Sequence, residues 1–104
     1  MQYTYLGNSG LLVSRLCLGT MGFGTPGKLF DWCAGEETAT KIVQECLDNG
    51  INFFDTANVY SDGESEIILG KALKTWARRE EVVIATKCGI NMQKDPKPNT
   101  TGLS

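Results

Sequence analysis

Histidine is absent from the 104 residues, so no step confined to this stretch uses an imidazole as acid, base or metal ligand. Cysteine is sparse and spaced without pattern. Cys17, Cys33, Cys46 and Cys88 form no C-x-x-C pair, and without histidine a mixed zinc set cannot be completed, so no metal site is expected. The four are expected to act as small buried hydrophobes in a reducing compartment, with Cys17 and Cys46 on apolar faces. No apolar run approaches the ~20 residues that span a bilayer. The opening Met1-Gln2-Tyr3-Thr4 also lacks the basic-then-apolar order of a secretory leader. The expected location is therefore cytoplasmic, with no membrane partner. An excess of charge of one sign is missing too. Ten basic against twelve acidic residues leave a net charge of -2, which gives no electrostatic footprint for nucleic acid. A phosphorylated cofactor is still allowed, because backbone amides and one or two basic side chains suffice to hold it.

What remains is ordinary globular material. Hydrophobic residues make up 41% and charged residues 21% of the chain, and the length suits one domain rather than two. Tyr3 to Tyr5 and Leu11 to Ser14 are strand-like runs joined by Gly7-Asn8-Ser9-Gly10, which predicts a β-hairpin. Arg15 to Gly19 reads as a short apolar strand, and the glycine-rich stretch from Thr20 to Gly35 as a long loop. In Glu36 to Asn49, the residues Ala39, Ile42, Val43, Cys46 and Leu47 share one helical stripe. Glu36 and Glu37 suit its first turn, and Asn49-Gly50 its end.

Ile51 to Thr56 predicts a strand and Ala57 to Gly63 a polar loop. A second helix then runs to about Trp76, with Ile68, Leu69, Ala72, Leu73 and Trp76 on one face. Ser61 and Glu64 match the S-x-x-E capping box. Glu81 to Lys87 predicts a third strand, and Cys88 to Ser104 a loop or tail that stops at a residue type favoured ahead of a helix. Strands alternating with helices imply an α/β fold with a parallel sheet. Its continuously apolar strands imply cover on both faces.

In such sheets, working side chains gather at the C-terminal ends of strands. Gly19-Thr20, Asp55 and Lys87 hold those places, and Tyr60 lies in the loop after Asp55. Singly, each has a plain structural reading: Asp55 as turn chemistry, Lys87 as a solvated strand end, Tyr60 as a packed loop aromatic. Together they suit carbonyl reduction. Hydride delivered to a carbonyl carbon leaves an oxyanion that needs a proton. A phenol, with an unperturbed pKa near ~10, donates readily only if an ammonium stabilises its phenolate. Tyr60 would then be the general acid, Lys87 its tuner, and Asp55 the group that orients Lys87.

The segments Gly19-Thr20-Met21-Gly22, Gly50 to Tyr60 (with Asp55-Thr56-Ala57 and Tyr60), Ser65 to Leu73 and Ala85-Thr86-Lys87 resemble the aldo-keto reductases. The likeness runs from residue 3 to about residue 90. It implies a (β/α)8 TIM barrel with an N-terminal β-hairpin across its floor, of which residues 1–104 form an N-terminal part. It also implies NADP(H) as cofactor and a small aldehyde or ketone as substrate. Asp55, Tyr60 and Lys87 match three of the family's four catalytic positions, and the fourth, a histidine, would follow Ser104. Gly19, Thr20, Met21 and Asp55 match positions near the nicotinamide ribose.

Two other readings compete. Gly22-Phe23-Gly24-Thr25-Pro26-Gly27 fits the G-x-G-x-x-G fingerprint of a Rossmann dinucleotide site. However, Pro26 sits inside it, no helix opens at its last glycine, and Asp55 lies well beyond the expected ~20 residues. A loop from Phe23 to Trp32 that overhangs a substrate pocket, or simply packs on its neighbours, fits better. The other reading is a cofactor-bound regulatory module of the same barrel, like potassium-channel β subunits. A three-stranded parallel sheet leaves two edges open to self-association, and a full barrel takes typically ~250 residues. The 104 residues alone are therefore expected to give no turnover with NADPH and an aromatic aldehyde. Measurable steady-state reduction by that stretch would overturn the expectation.

Overall fold

Residues 1–28 and 30–103 are described by a computed structural model. Ser104, the expected lead-in to a third helix, lies outside the described residues. The chain opens with an antiparallel hairpin of β1 (Tyr3–Tyr5) and β2 (Leu12–Ser14), in register Tyr3 to Ser14 and Tyr5 to Leu12. A three-stranded parallel sheet follows, in the spatial order β3 (Leu18–Gly19), β4 (Phe53–Asp55), β5 (Val83–Ala85). The crossovers contain α1 (Glu36–Asp48) and α2 (Glu64–Trp76).

Parity along each strand decides what is buried, because successive side chains point to opposite faces. Leu18, Phe54, Val82 and Ile84 turn toward the helices, where they meet Ala39 and Val43 of α1 and Ile68, Leu69, Ala72 and Leu73 of α2. Phe54 is fully buried at the centre of this core. Cys17, Gly19, Phe53, Asp55, Val83 and Ala85 share the other parity. Cover on both faces was expected, but among the described residues both helices pack on one face and the second stays partly open. Consecutive right-handed crossovers place both helices on the same side.

That parity corrects the reading of the cysteines. Cys33 is buried and Cys46 partly so, whereas Cys17 and Cys88 are exposed, Cys17 because it lies on the open face. Trp76, expected on the buried stripe of α2, is half exposed at the last residue of the helix, and Ile42 lies at the exposed rim of α1. The strands are also shorter than the apolar runs. Arg79–Glu81 forms a 3-10 turn before β5, and ladder pairing is confined to two residues between β3 and β4 and three between β4 and β5.

The hairpin is tied to the N-terminal end of the sheet. The Tyr3 hydroxyl donates to the Gly50 carbonyl at 2.7 Å. Asn52 grips β2 at both ends: its Oδ1 accepts from Ser14 N at 2.7 Å and its Nδ2 donates to the Leu12 carbonyl at 3.1 Å. The opposite, C-terminal end of the sheet carries the loops that follow β3, β4 and β5. Residues 88–103 form no helix or strand, and the segment folds on itself where Gln93 Nε2 donates to the Thr100 carbonyl at 2.9 Å.

Truncating Phe54 to Ala removes a side chain that bridges both helices. In the full-length protein this should cost about 3–5 kcal/mol of unfolding free energy, read by denaturant titration. A loss below ~1 kcal/mol would contradict the core as described.

Candidate active site

Asp55 ends β4, in register with Gly19 of β3 and Ala85 of β5. Lys87 lies two residues beyond β5 on the same parity as Ala85, so its stem points toward Asp55. Tyr60 begins a single 3-10 turn, Tyr60–Gly63, that leads into α2. All three side chains that the sequence singled out for catalysis meet here. Lys87 Nζ donates to Asp55 Oδ2 at 2.6 Å, to the Thr56 carbonyl at 2.9 Å and to Tyr60 Oη at 3.1 Å. It also stands 4.9 Å from the centroid of the Tyr60 ring.

An ammonium has three protons, and here each has an acceptor. The hydrogen bond to Asp55, then that to Tyr60, raises the Lys87 pKa above its ordinary 10.5, so the group is cationic at neutral pH. The pair is not sealed off: the Lys87 side chain is 50% and that of Asp55 38% exposed. Because Nζ donates to the phenol oxygen, the hydroxyl proton of Tyr60 is left to point elsewhere.

Backbone strain holds the phenol's turn. Ser61 and Asp62 adopt left-handed φ angles of 48° and 55°, a conformation that non-glycine residues hold only when their surroundings fix it. Ser61 is buried, with its Oγ 3.9 Å from Cys33 Sγ. Gly24 packs so closely on that hydroxyl that any Cβ there would overlap it. The capping box predicted from Ser61 and Glu64 does not form. Gly63 is the residue ahead of α2, and no side chain caps the helix. Glu64 reaches instead to the long loop, accepting from Thr25 N at 2.8 Å, Thr25 Oγ1 at 2.9 Å and Lys28 Nζ at 2.9 Å.

The glycine fingerprint is accounted for by the same packing. Gly24 abuts Ser61, Phe23 enters the core, and α1 opens only at Glu36. Among the described residues no helix opens at the motif's last glycine to receive a pyrophosphate, which removes the Rossmann reading. Phe30 and Trp32 stack with centroids 4.7 Å apart, and Trp32 is exposed.

The four positions that the resemblance matched to cofactor binding split in two. Gly19 has open space where a Cβ would stand, Met21 is exposed, and Asp55 is partly exposed beside Gly19. This is an uncluttered ledge with a carboxylate acceptor, and it fits the hydroxyls of a ribose. Thr20 differs. Its side chain is fully buried, and its hydroxyl donates to the Asp55 carbonyl at 3.0 Å. Among the described residues no arginine stands at this end. Arg15 donates to Gln2 and Arg78 pairs with Glu80, while Arg79 Nη1 donates to the Val82 carbonyl ahead of β5.

Thr56, through its carbonyl, and Ser65, through its hydroxyl, belong to the surroundings of this site; both lie in segments that carry the resemblance, but sequence reasoning assigns neither a role. A backbone acceptor leaves no residue-type signal. Ser65 had one, its place directly before Glu66 in the resemblance.

The ion pair and hydrogen bonds of Glu64 give a pH prediction. The Lys28 hydrogen bond, then those from Thr25, pull its carboxyl from the ordinary 4.5 down to about 2. The folded form therefore favours the carboxylate. Its contribution to stability is complete above 4.5 and is lost as the pH falls toward about 2. In the full-length protein, Glu64→Gln should lower the melting temperature at pH 7, with the gap to wild type closing below about pH 4. A gap that does not change with pH would refute the charge-based clamp.

Comparison with known proteins places these features in a family. The family model described as "Aldo/keto reductase family" matches residues 15–104. An uncharacterized oxidoreductase, YrpG, of Bacillus subtilis is 53% identical over all of this chain and 32% of its own length. Versiconal hemiacetal acetate reductase of Aspergillus parasiticus is 44% identical over 98% of this chain and 31% of its own length. Among solved structures, the holo form of the aldo-keto reductase AKR11C1 from Bacillus halodurans superposes with a TM-score of 0.74 at 38% identity. That match covers 93% of this chain and 29% of the other. The chain thus spans about a third of the length of the curated relatives it matches.

Proposed function

The chain belongs to the aldo/keto reductase family, and from that premise we propose that the full-length protein reduces a small aldehyde or ketone to its alcohol with NADP(H). Residues 1–104 are read as the N-terminal part of a single barrel domain, with β3, β4 and β5 as its first three parallel strands. The open edges, β3 and β5, offer unpaired backbone to further strands of that barrel or to another copy. Among the described residues no helix is long and apolar enough to cross a membrane.

One observation carries the function: Lys87 Nζ donates to Tyr60 Oη at 3.1 Å while anchored to Asp55 at 2.6 Å. Gly19, Met21 and Asp55 would hold the ribose of a reduced nicotinamide, which when bound would supply the hydride that the carbonyl carbon needs. Thr20 contributes there by shaping the backbone, since its hydroxyl is committed inward. As negative charge grows on the carbonyl oxygen, Tyr60 donates its hydroxyl proton to that oxygen and completes the alcohol. The negative charge passes to Oη, where the Lys87 ammonium already stands. Asp55 keeps the ammonium charged and aimed. The stacked Phe30 and Trp32 of the long loop are read as a wall of the substrate pocket. The preference for the phosphorylated cofactor rests on the family resemblance.

Tyr60→Phe in the full-length protein keeps the ring and removes the hydroxyl. Because the whole hydroxyl is lost, and with it the Oη that accepts from Lys87, turnover should fall by at least ~10²-fold, the range for a general acid, while NADPH binding by fluorescence stays within about twofold. Turnover near wild type would remove Tyr60 from the role.

A further inference from the structure

The first turn of α2 carries three consecutive polar residues, and each reaches a different element. Glu64 clamps the loop at Thr25 and Lys28. Glu66 Oε2 accepts from Thr86 Oγ1 at 2.8 Å, one residue before Lys87. Ser65, between them, is fully buried and points at the ends of β3 and β4. Successive helical residues are turned about 100° apart, so one turn of helix spans all three strand ends.

Ser65 sits among hydroxyls that are themselves buried: Thr20 at 0% and Thr56 at 2% exposure. Each has one proton to give, which fixes a consistent direction. Thr20 Oγ1 donates to the Asp55 carbonyl at 3.0 Å, which also accepts from Thr20 N at 3.0 Å. Ser65 Oγ donates to the Thr20 carbonyl at 2.6 Å and lies 2.9 Å from Thr20 Oγ1. Thr56 Oγ1, 3.2 Å from Ser65 Oγ, then gives its proton to Ser65. Thr56 N is bound to the Ala85 carbonyl at 2.8 Å. Residues 55 and 56 are therefore gripped from β3, from β5 and from α2. These two residues supply two of the three acceptors for Lys87, the Asp55 carboxylate and the Thr56 carbonyl.

We infer that Ser65 is a positioning residue: by joining Thr20 and Thr56 beneath the site it sets the Asp55–Thr56 segment, and so the place of the Lys87 ammonium against Tyr60. This rests on the reading of Lys87 and Tyr60 given above. Ser65 touches neither of them, so its effect belongs to the chemical step. Cofactor binding is read at Gly19, Met21 and Asp55, none of which Ser65 touches directly, so the Kd for NADPH should move less than kcat.

The test uses the full-length protein with NADPH and an aromatic aldehyde. Ser65→Ala should lower kcat by about tenfold, the scale on which a displaced catalytic group raises a barrier, with the Kd for NADPH changed by less than about twofold. Thr56→Val keeps the shape and removes the proton given to Ser65, so it should lower kcat by several-fold. Thr56→Ser restores that proton and should recover most of the loss. Wild-type kcat in Ser65→Ala overturns the inference. So does a Thr56 pair in which Val is no worse than Ser, since shape alone would then explain the site. Should Ser65→Ala fail to fold, the Thr56 pair decides by the same criterion. Tyr60→Phe measured alongside separates the failures. Full activity in that variant defeats the proton-donor reading, whereas an inert Tyr60→Phe beside an unimpaired Ser65→Ala defeats only the role of Ser65.

Discussion

The ammonium of Lys87 has three protons to place, and they go to a carboxylate, a backbone carbonyl and a phenol that come from three different positions in the chain. A charged group half in solvent gains little from any one partner. What it gains from three is direction, because a lysine stem is otherwise free to rotate. The rest of the molecule can be understood as what keeps those acceptors where they are. The parallel register brings Asp55 level with Ala85, the parity of β5 aims Lys87 inward, and a strained turn brings Tyr60 back over the strand ends.

Most of that support is polar and buried, an arrangement that a small core seldom tolerates unless every group is paired. Among the described residues no buried side-chain nitrogen or oxygen lacks a partner. Thr20, Thr56 and Ser65 satisfy one another and the strand-end carbonyls. The same turn of α2 reaches outward through Glu64 to the glycine-rich loop and through Glu66 to Thr86. Loop, helix and strand ends are thus joined within a few residues of the phenol. The apolar core around Phe54 lies on the far side of the sheet face that carries Asp55, so packing and chemistry are assigned to opposite parities of the same short strands.

Much of this was legible beforehand. Hairpin, helices and strand sequence followed from periodicity and turn residues, and α2 ends at Trp76 as read. Asp55, Tyr60 and Lys87 were identifiable because a strand-end carboxylate, amine and phenol in succession make chemical sense together. Misreadings came where a local pattern had a stronger partner far away in sequence. Ser61 and Glu64 have the spacing of a capping box, but Ser61 packs against Cys33 and Gly24, and Glu64 is held by Lys28 and Thr25. Cys17 looked apolar by its neighbours, yet strand parity turns it to the open face. Trp76 fits the helical stripe, but the stripe outruns the sheet it packs on.

The sequence by itself determined the alternation of elements, the residue types at the strand ends and the absence of imidazole chemistry from this stretch, because these depend on spacing and composition alone. Only the tertiary structure decided that the three ends stand level, that the Thr56 carbonyl is the third acceptor for Lys87, and that Thr20 faces inward to Ser65. Those outcomes depend on which strands pair and in what register. Register is set by contacts between residues tens of positions apart, and no local pattern encodes it.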